Sequence, residues 1–137
     1  MEKKDIALKQ LRASANLFNE GDYVSAITLS GAAEEILGKI AKKRNKPNQL
    51  ENEVVYLKSI YEYLSGHSIS NKELVSKINL TRNELKHNDS GINEWFETDF
   101  ENEAAMIFVK AVKNYFTCYS ELPNDRIIRS LFENLTL

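Results

Sequence analysis

Apolar residues recur along this chain at intervals of three and four, and no segment alternates apolar and polar positions with a period of two. Each such stripe marks one buried helix face, so the pattern predicts an all-α protein, an up-and-down bundle of five to six helices. The first runs from about Lys4 to Asn19 with Leu8, Leu11, Ala15 and Phe18 on one side, and Gly21 supplies the left-handed residue that ends it. Asp22 caps a second helix that reaches about Arg44. Its two stripes, Ala26, Leu29, Ala33, Ile36 and Ile40 on one side and Val24, Ile27 and Gly31 on another, predict a central position. Pro47 blocks further extension, and Asn48 with Glu51 forms a cap pair for a third helix carrying Leu50, Val54, Leu57, Tyr61 and Leu64.

Beyond Ser65-Gly66, Ser70 and Glu73 have capping-box spacing, and a fourth helix presents Leu74, Ile78, Thr81 and Leu85 before it reaches His87. A polar loop, HNDSGINEWFE, leads to Thr98 and Glu101, a second capping box opening a long fifth helix that ends near Ser120. Phe100, Ala104, Ile107, Ala111, Tyr115 and Cys118 fill one of its faces and Val109, Val112, Phe116 and Tyr119 another, so it too should be central. A short sixth helix, capped by Asn124 after Pro123, offers Ile128, Leu131, Phe132 and Leu135 as a lid.

Composition narrows the class. A chain of 137 residues fits one domain, residues 1 to 137, large enough to bury a core without disulfides or metal. The start, MEKKDIALKQLR, is charged where a secretory leader needs an apolar run, and no segment approaches the roughly 20 apolar residues of a membrane span. We therefore expect a cytoplasmic protein that does not enter the membrane. Cys118 is the single cysteine and falls among apolar residues, which leaves no disulfide framework and no cysteine-rich zinc site, and it is expected to pack as a small buried hydrophobe. The pattern calls for neither a metal nor a cofactor. A net charge of −2 argues against gripping long nucleic acid by broad charge neutralisation, though not against a local site.

The candidate chemistry is concentrated in RNELKH, residues 82 to 87. A helical bundle of this size with Arg82, Asn83 and His87 at the end of a late helix resembles the HEPN domain family, and GDYVSAITLSGAAEEIL on the second helix adds to the likeness. The HEPN signature is an arginine, four to six residues and then a histidine, often with Asn, Asp or His directly after the arginine. The resemblance implies a metal-independent endoribonuclease, usually a homodimer in which two copies of the motif face each other across a cleft. It also implies toxin or phage-defence roles, with an antitoxin or regulatory protein as partner. Other branches of the family are non-catalytic, so the alternative is a helical interaction module that binds a protein or nucleotide.

The chemistry of these side chains fits RNA cleavage. His87, with an ordinary pKa of about 6.5, suits taking a proton from a 2′-hydroxyl or delivering one to the leaving oxygen. Arg82 suits holding the scissile phosphate with its planar fork, and Asn83, one helical turn before His87, suits orienting the imidazole. On an ideal helix Arg82 and His87 point about 140° apart, so they converge only if the helix unwinds at His87 or a partner subunit supplies one of them. Some family members add an acidic residue from an earlier helix, a role open here to Glu34 or Glu35. HEPN toxins silenced by nucleotidyl transfer typically carry a tyrosine two positions after the histidine, where this chain has Asp89.

Plainer readings compete. Arg82 can pair with an acidic neighbour, and His87 can serve as a cation at a helix C-terminus. Lys39, Lys42, Lys43, Arg44 and Lys46 can steer RNA, but cations are also expected where a helix ends. Trp95 and Phe96 can stack on an unpaired base or anchor their loop. His67, in a Ser-Gly-His-Ser turn, reads as exposed and without a role.

Overall fold

The structure is a computed structural model that describes residues 1–46, 65–78 and 97–136 together with Asn52, Val54, Val55, Lys58, Glu62 and Tyr63. Its helices are α1 (Lys3–Asn19), α2 (Tyr23–Lys43), α3 (Asn71–Ile78), α4 (Phe100–Tyr119) and α5 (Arg126–Thr136), and no strand occurs among the described residues. Asn52, Val54, Val55, Lys58, Glu62, Tyr63 and Ser65 are also helical, in the span expected of the third helix. Of that helix's expected stripe, Val54 is described and is buried. Leu50, Leu57, Tyr61 and Leu64 lie outside the described residues, as do the Asn48–Glu51 cap pair and the expected course of the fourth helix beyond Ile78.

Local chemistry sets the helix ends. Gly21 has φ +85°, and the Asp22 and Gly21 amides donate to Leu17 and Phe18 carbonyls, the paired bonds that close a helix on a left-handed residue. Asn45 (φ 57°) repeats the motif after α2, with Lys46 and Asn45 amides bonding Ala41 and Lys42 carbonyls. Asp22 accepts from the Ser25 amide at 3.2 Å and Ser70 from the Glu73 amide at 3.1 Å, both as expected. Two caps fall one residue later than expected. Asp99, not Thr98, opens α4 by accepting from Asn102, and Asp125, not Asn124, opens α5 by accepting from Ile127 and Ile128. In each case a charged oxygen displaces a weaker neighbouring cap.

α2 is the centre, packed against α1 on one side and α4 on another. Contacts with α1 run in opposite senses, from the Phe18–Tyr23 ring pair to the Ser14–Ser30 hydroxyl pair, as the tight turn between them requires. Contacts with α4 advance together, from the Ile27 and Ile107 cluster through Asn114 on the Glu34 carbonyl to Cys118 on the Leu37 carbonyl. α2 and α4 are therefore parallel, and α4 begins at the end of the bundle where α2 begins.

The main core joins Leu11, Ala15, Leu37, Phe108, Val112 and Ile128, with α5 laid across α1 and α4 as the expected lid. Two expected core positions are instead largely exposed: Val24 (45%) and Phe116 (53%). In their place α2 buries Ser30, Gly31, Glu34, Gly38 and Ala41, small or polar residues that let neighbouring backbones approach. Ser14 Oγ lies 2.9 Å from the Ala26 carbonyl and 2.6 Å from Ser30 Oγ. Since Ser14 has one proton and donates it to the carbonyl, Ser30 must donate to Ser14.

Asp125 divides its carboxylate between two elements. Oδ1 caps α5, and Oδ2 holds Arg12 of α1 at 2.6 Å. Burial pushes this carboxyl up, but the Ile128 amide, the Arg12 guanidinium and the Ile127 amide outweigh it and hold it below the ordinary carboxylate value.

Two measurements test this packing. Ser30→Leu should cost about 2 kcal/mol in urea unfolding by overpacking the α1–α2 contact, whereas Ser30→Ala, which leaves the Ser14 bond to Ala26 intact, should cost under about 1 kcal/mol. Asp125→Asn should destabilise by about 1 kcal/mol at neutral pH. Because the folded-state pKa is depressed, that contribution is full above the unfolded value of about 3.9 and disappears as pH falls through the folded value, so the variant and wild type should converge in strong acid.

Candidate functional site

Arg82, Asn83, His87 and Trp95 lie outside the described residues, as does Phe96. The structure therefore bears on the candidate site through α2, which carries Glu34, Glu35 and the cationic stretch at its end.

Adjacent glutamates on a helix are about 100° apart, so one can face inward while its neighbour faces water. Glu34 is the inward one, at 5% exposure, and Glu35 is exposed and pairs with Lys39 at 3.3 Å across one helical turn. A carboxylate as buried as Glu34 is expensive unless it is hydrogen-bonded or paired. Its backbone carbonyl accepts from Asn114 Nδ2 at 3.3 Å, so the strand of contacts between α2 and α4 passes directly beside it. Asn114, Ser14 and Ser30 are buried polar residues that hydropathy alone passed over. The signal for Asn114 was its position between Ala111 and Tyr115 on the most regular apolar face of the chain.

The cations at the end of α2 separate into two groups. α4 ends on Ser120 in the left-handed conformation, whose amide bonds the Phe116 carbonyl and leaves the next carbonyls to find other donors. Arg44 Nη1 donates to the Cys118 carbonyl at 2.6 Å and Lys46 Nζ to the Thr117 carbonyl at 3.1 Å. Positive charge from α2 thus neutralises the negative end of α4. Arg44 also lies over the Tyr119 ring at 4.8 Å, and Lys4 of α1 lies 4.6 Å from the same ring centre. One aromatic side chain consequently ties three helices together at this end of the bundle. Lys42, Lys43 and Arg44 are all exposed, but Arg44 is engaged by the Cys118 carbonyl and the Tyr119 ring.

Burial pushes the Cys118 thiol up, partly offset by Arg44 and Lys46, and its Sγ lies 3.3 Å from the Leu37 carbonyl as a donor. Burial together with Cys118 likewise raises Tyr119 against the pull of Arg44 and Lys4. Both groups are neutral near pH 7, so neither offers a ready nucleophile. His67 is exposed, and its amide bonds Ser65 Oγ within the turn. Among the described residues no group of three metal-ligating side chains converges, and no helix is long and apolar enough to cross a membrane.

A second surface feature flanks α4, an open groove of about 540 Å³ lined by Met106, Val109, Lys113 and Leu135 among others. The chain matches no family model, and comparison with curated proteins and with solved structures finds no significant match to either.

Arg44→Ala should cost about 2 kcal/mol through the lost charged hydrogen bond and ring contact, with hydrogen exchange accelerated in the last turn of α4. Arg44→Lys should recover less than half, lacking the planar fork, and Lys42→Ala should stay within about 0.5 kcal/mol of wild type.

Proposed function

We propose that this chain is a HEPN-like, metal-independent endoribonuclease that acts as a homodimer, with Arg82, Asn83 and His87 of the two protomers completing a composite site. The observation that carries the proposal is the RNELKH sequence in an all-α bundle whose central helix buries one of two adjacent glutamates, Glu34. His87 takes the proton of a 2′-hydroxyl, whose oxygen attacks the adjacent phosphorus, while a second histidine, from the partner subunit, protonates the departing 5′-oxygen. Arg82 binds the phosphate and stabilises the charge that accumulates on it. Glu34 orients Arg82 by charge-assisted hydrogen bonding, a task for which solvated Glu35 is poorly suited. A cytoplasmic toxin or defence effector, held in check by an antitoxin or regulatory protein, is the biological role that follows.

The exposed apolar side chains of α4, Met106 and Phe116, favour a second reading, a helical interaction module without chemistry. One assay separates the two. Purified protein should cut single-stranded RNA in excess EDTA, and Arg82→Ala or His87→Ala should lower the rate at least about 100-fold with circular dichroism unchanged. Glu34→Gln should slow cutting and Glu35→Gln should not. Full activity in both motif variants, or none in the wild type under any RNA tested, removes the enzyme reading.

A further inference from the structure

α2 has a third side that neither α1 nor α4 covers completely. Where its C-terminal half passes the start of α1, Ile6, Ala32, Ile36 and Ile40 form the half-buried floor of a groove of about 350 Å³. Lys3, Lys39 and Lys43 stand along it, exposed, and Glu35 is the one carboxylate among the lining residues. Glu35 is already paired with Lys39. The rim is therefore net positive in a chain whose overall charge is −2.

Geometry selects the kind of occupant. Ala32, Ile36 and Ile40 recur every fourth residue, and from Ala32 to Lys43 the groove follows about 16 Å of helix, the length of three helical turns. That is the footprint of a short helix laid into an aliphatic trough between two others. Among the described residues the floor carries no aromatic ring on which a nucleobase could stack, which disfavours single-stranded RNA there.

We propose that this groove docks an amphipathic helix of a partner protein, one presenting an aliphatic stripe flanked by acidic residues. The aliphatic stripe covers Ile36 and Ile40, and the flanking carboxylates meet Lys3, Lys39 and Lys43. The proposal does not rest on RNELKH, and it gives Lys39 and Lys43 a protein partner in place of the RNA-steering role open to them in the sequence.

The test uses the full chain and a fluorescent, helix-stapled 15-residue peptide with leucines at every fourth position and glutamates beside them, alongside a twin in which lysines replace the glutamates. Anisotropy titration should show the acidic peptide binding at least tenfold more tightly than its basic twin, with affinity falling as salt rises. In the wild-type protein, the methyl resonances of Ile6, Ile36 and Ile40 should shift on binding while those of Ile127 and Ile128 do not. The Lys39→Glu/Lys43→Glu double variant should weaken the acidic peptide at least tenfold and reverse the preference between the twins. Equal binding of the two peptides, methyl shifts elsewhere, or displacement of the acidic peptide from this groove by an RNA oligonucleotide would each overturn the proposal. Because the methyl measurement needs no substitution, the outcome does not depend on the double variant folding.

Discussion

The closeness of α2 to both its neighbours is the constraint from which the rest of the fold follows. A central helix packed against two partners buries a wide arc, and here that arc sets Ile27 and Leu37 among small residues, Ala26, Ser30, Gly31, Ala33, Gly38 and Ala41. Small side chains bring backbones near enough for unusual hydrogen bonds. Asn114 and Cys118 of α4 donate into carbonyls of α2 that also belong to helical turns, using the second lone pair of each oxygen. Stripes of alanine and glycine resist sliding poorly, because every register looks alike. Directional bonds at Glu34, Leu37 and Ala26 supply the register that apolar packing alone leaves undetermined.

That arrangement also sorts the charged groups. Arg12, Lys4, Arg44 and Lys46 are engaged with a carboxylate, aromatic rings or helix-terminal carbonyls, and each joins elements distant in sequence. Lys3, Lys39 and Lys43 remain along the surface groove. A nucleic acid arriving at α2 would meet fewer available cations than the row of lysines and arginine in the sequence suggests. If RNA is the substrate, as proposed, its sequence-independent affinity for α2 should accordingly be weak.

Much of this was legible beforehand. The periodicity of Leu11 and Ala15, of Ala104 and Ile107, and of Ile128 and Leu131 located α1, α4 and α5, and Gly21, Asp22 and Ser70 correctly marked the end of α1 and the starts of α2 and α3. The errors share a cause. Thr98 stands beside Asp99 and Asn124 beside Asp125, so two cap-competent residues adjoin and spacing cannot choose, whereas the stronger acceptor does. Val24 and Phe116 were assigned to the core on hydropathy, but helix rotation is fixed by the small and polar residues opposite them, to which hydropathy is blind. At the candidate site, equal hydropathy made Glu34 and Glu35 inseparable in sequence, and rotation alone distinguishes them.

The same rotation bears on how a site built from RNELKH can work. Two side chains five residues apart on a straight helix diverge by about 140°, so Arg82 and His87 meet at one point only if the helix unwinds at His87 or a partner subunit supplies one of them. A buried carboxylate on α2 adds a third requirement, because Glu34 can influence only a group that reaches the interior of its own bundle. An arginine turned inward to meet Glu34 leaves the histidine turned outward, toward solvent or a second subunit. Under the proposed ribonuclease reading, the burial of Glu34 and the five-residue spacing favour an arginine oriented within its own protomer and a histidine completed across an interface. Under that reading dimerisation is a condition of the chemistry, and a partner that separates the protomers would inhibit without touching Arg82 or His87.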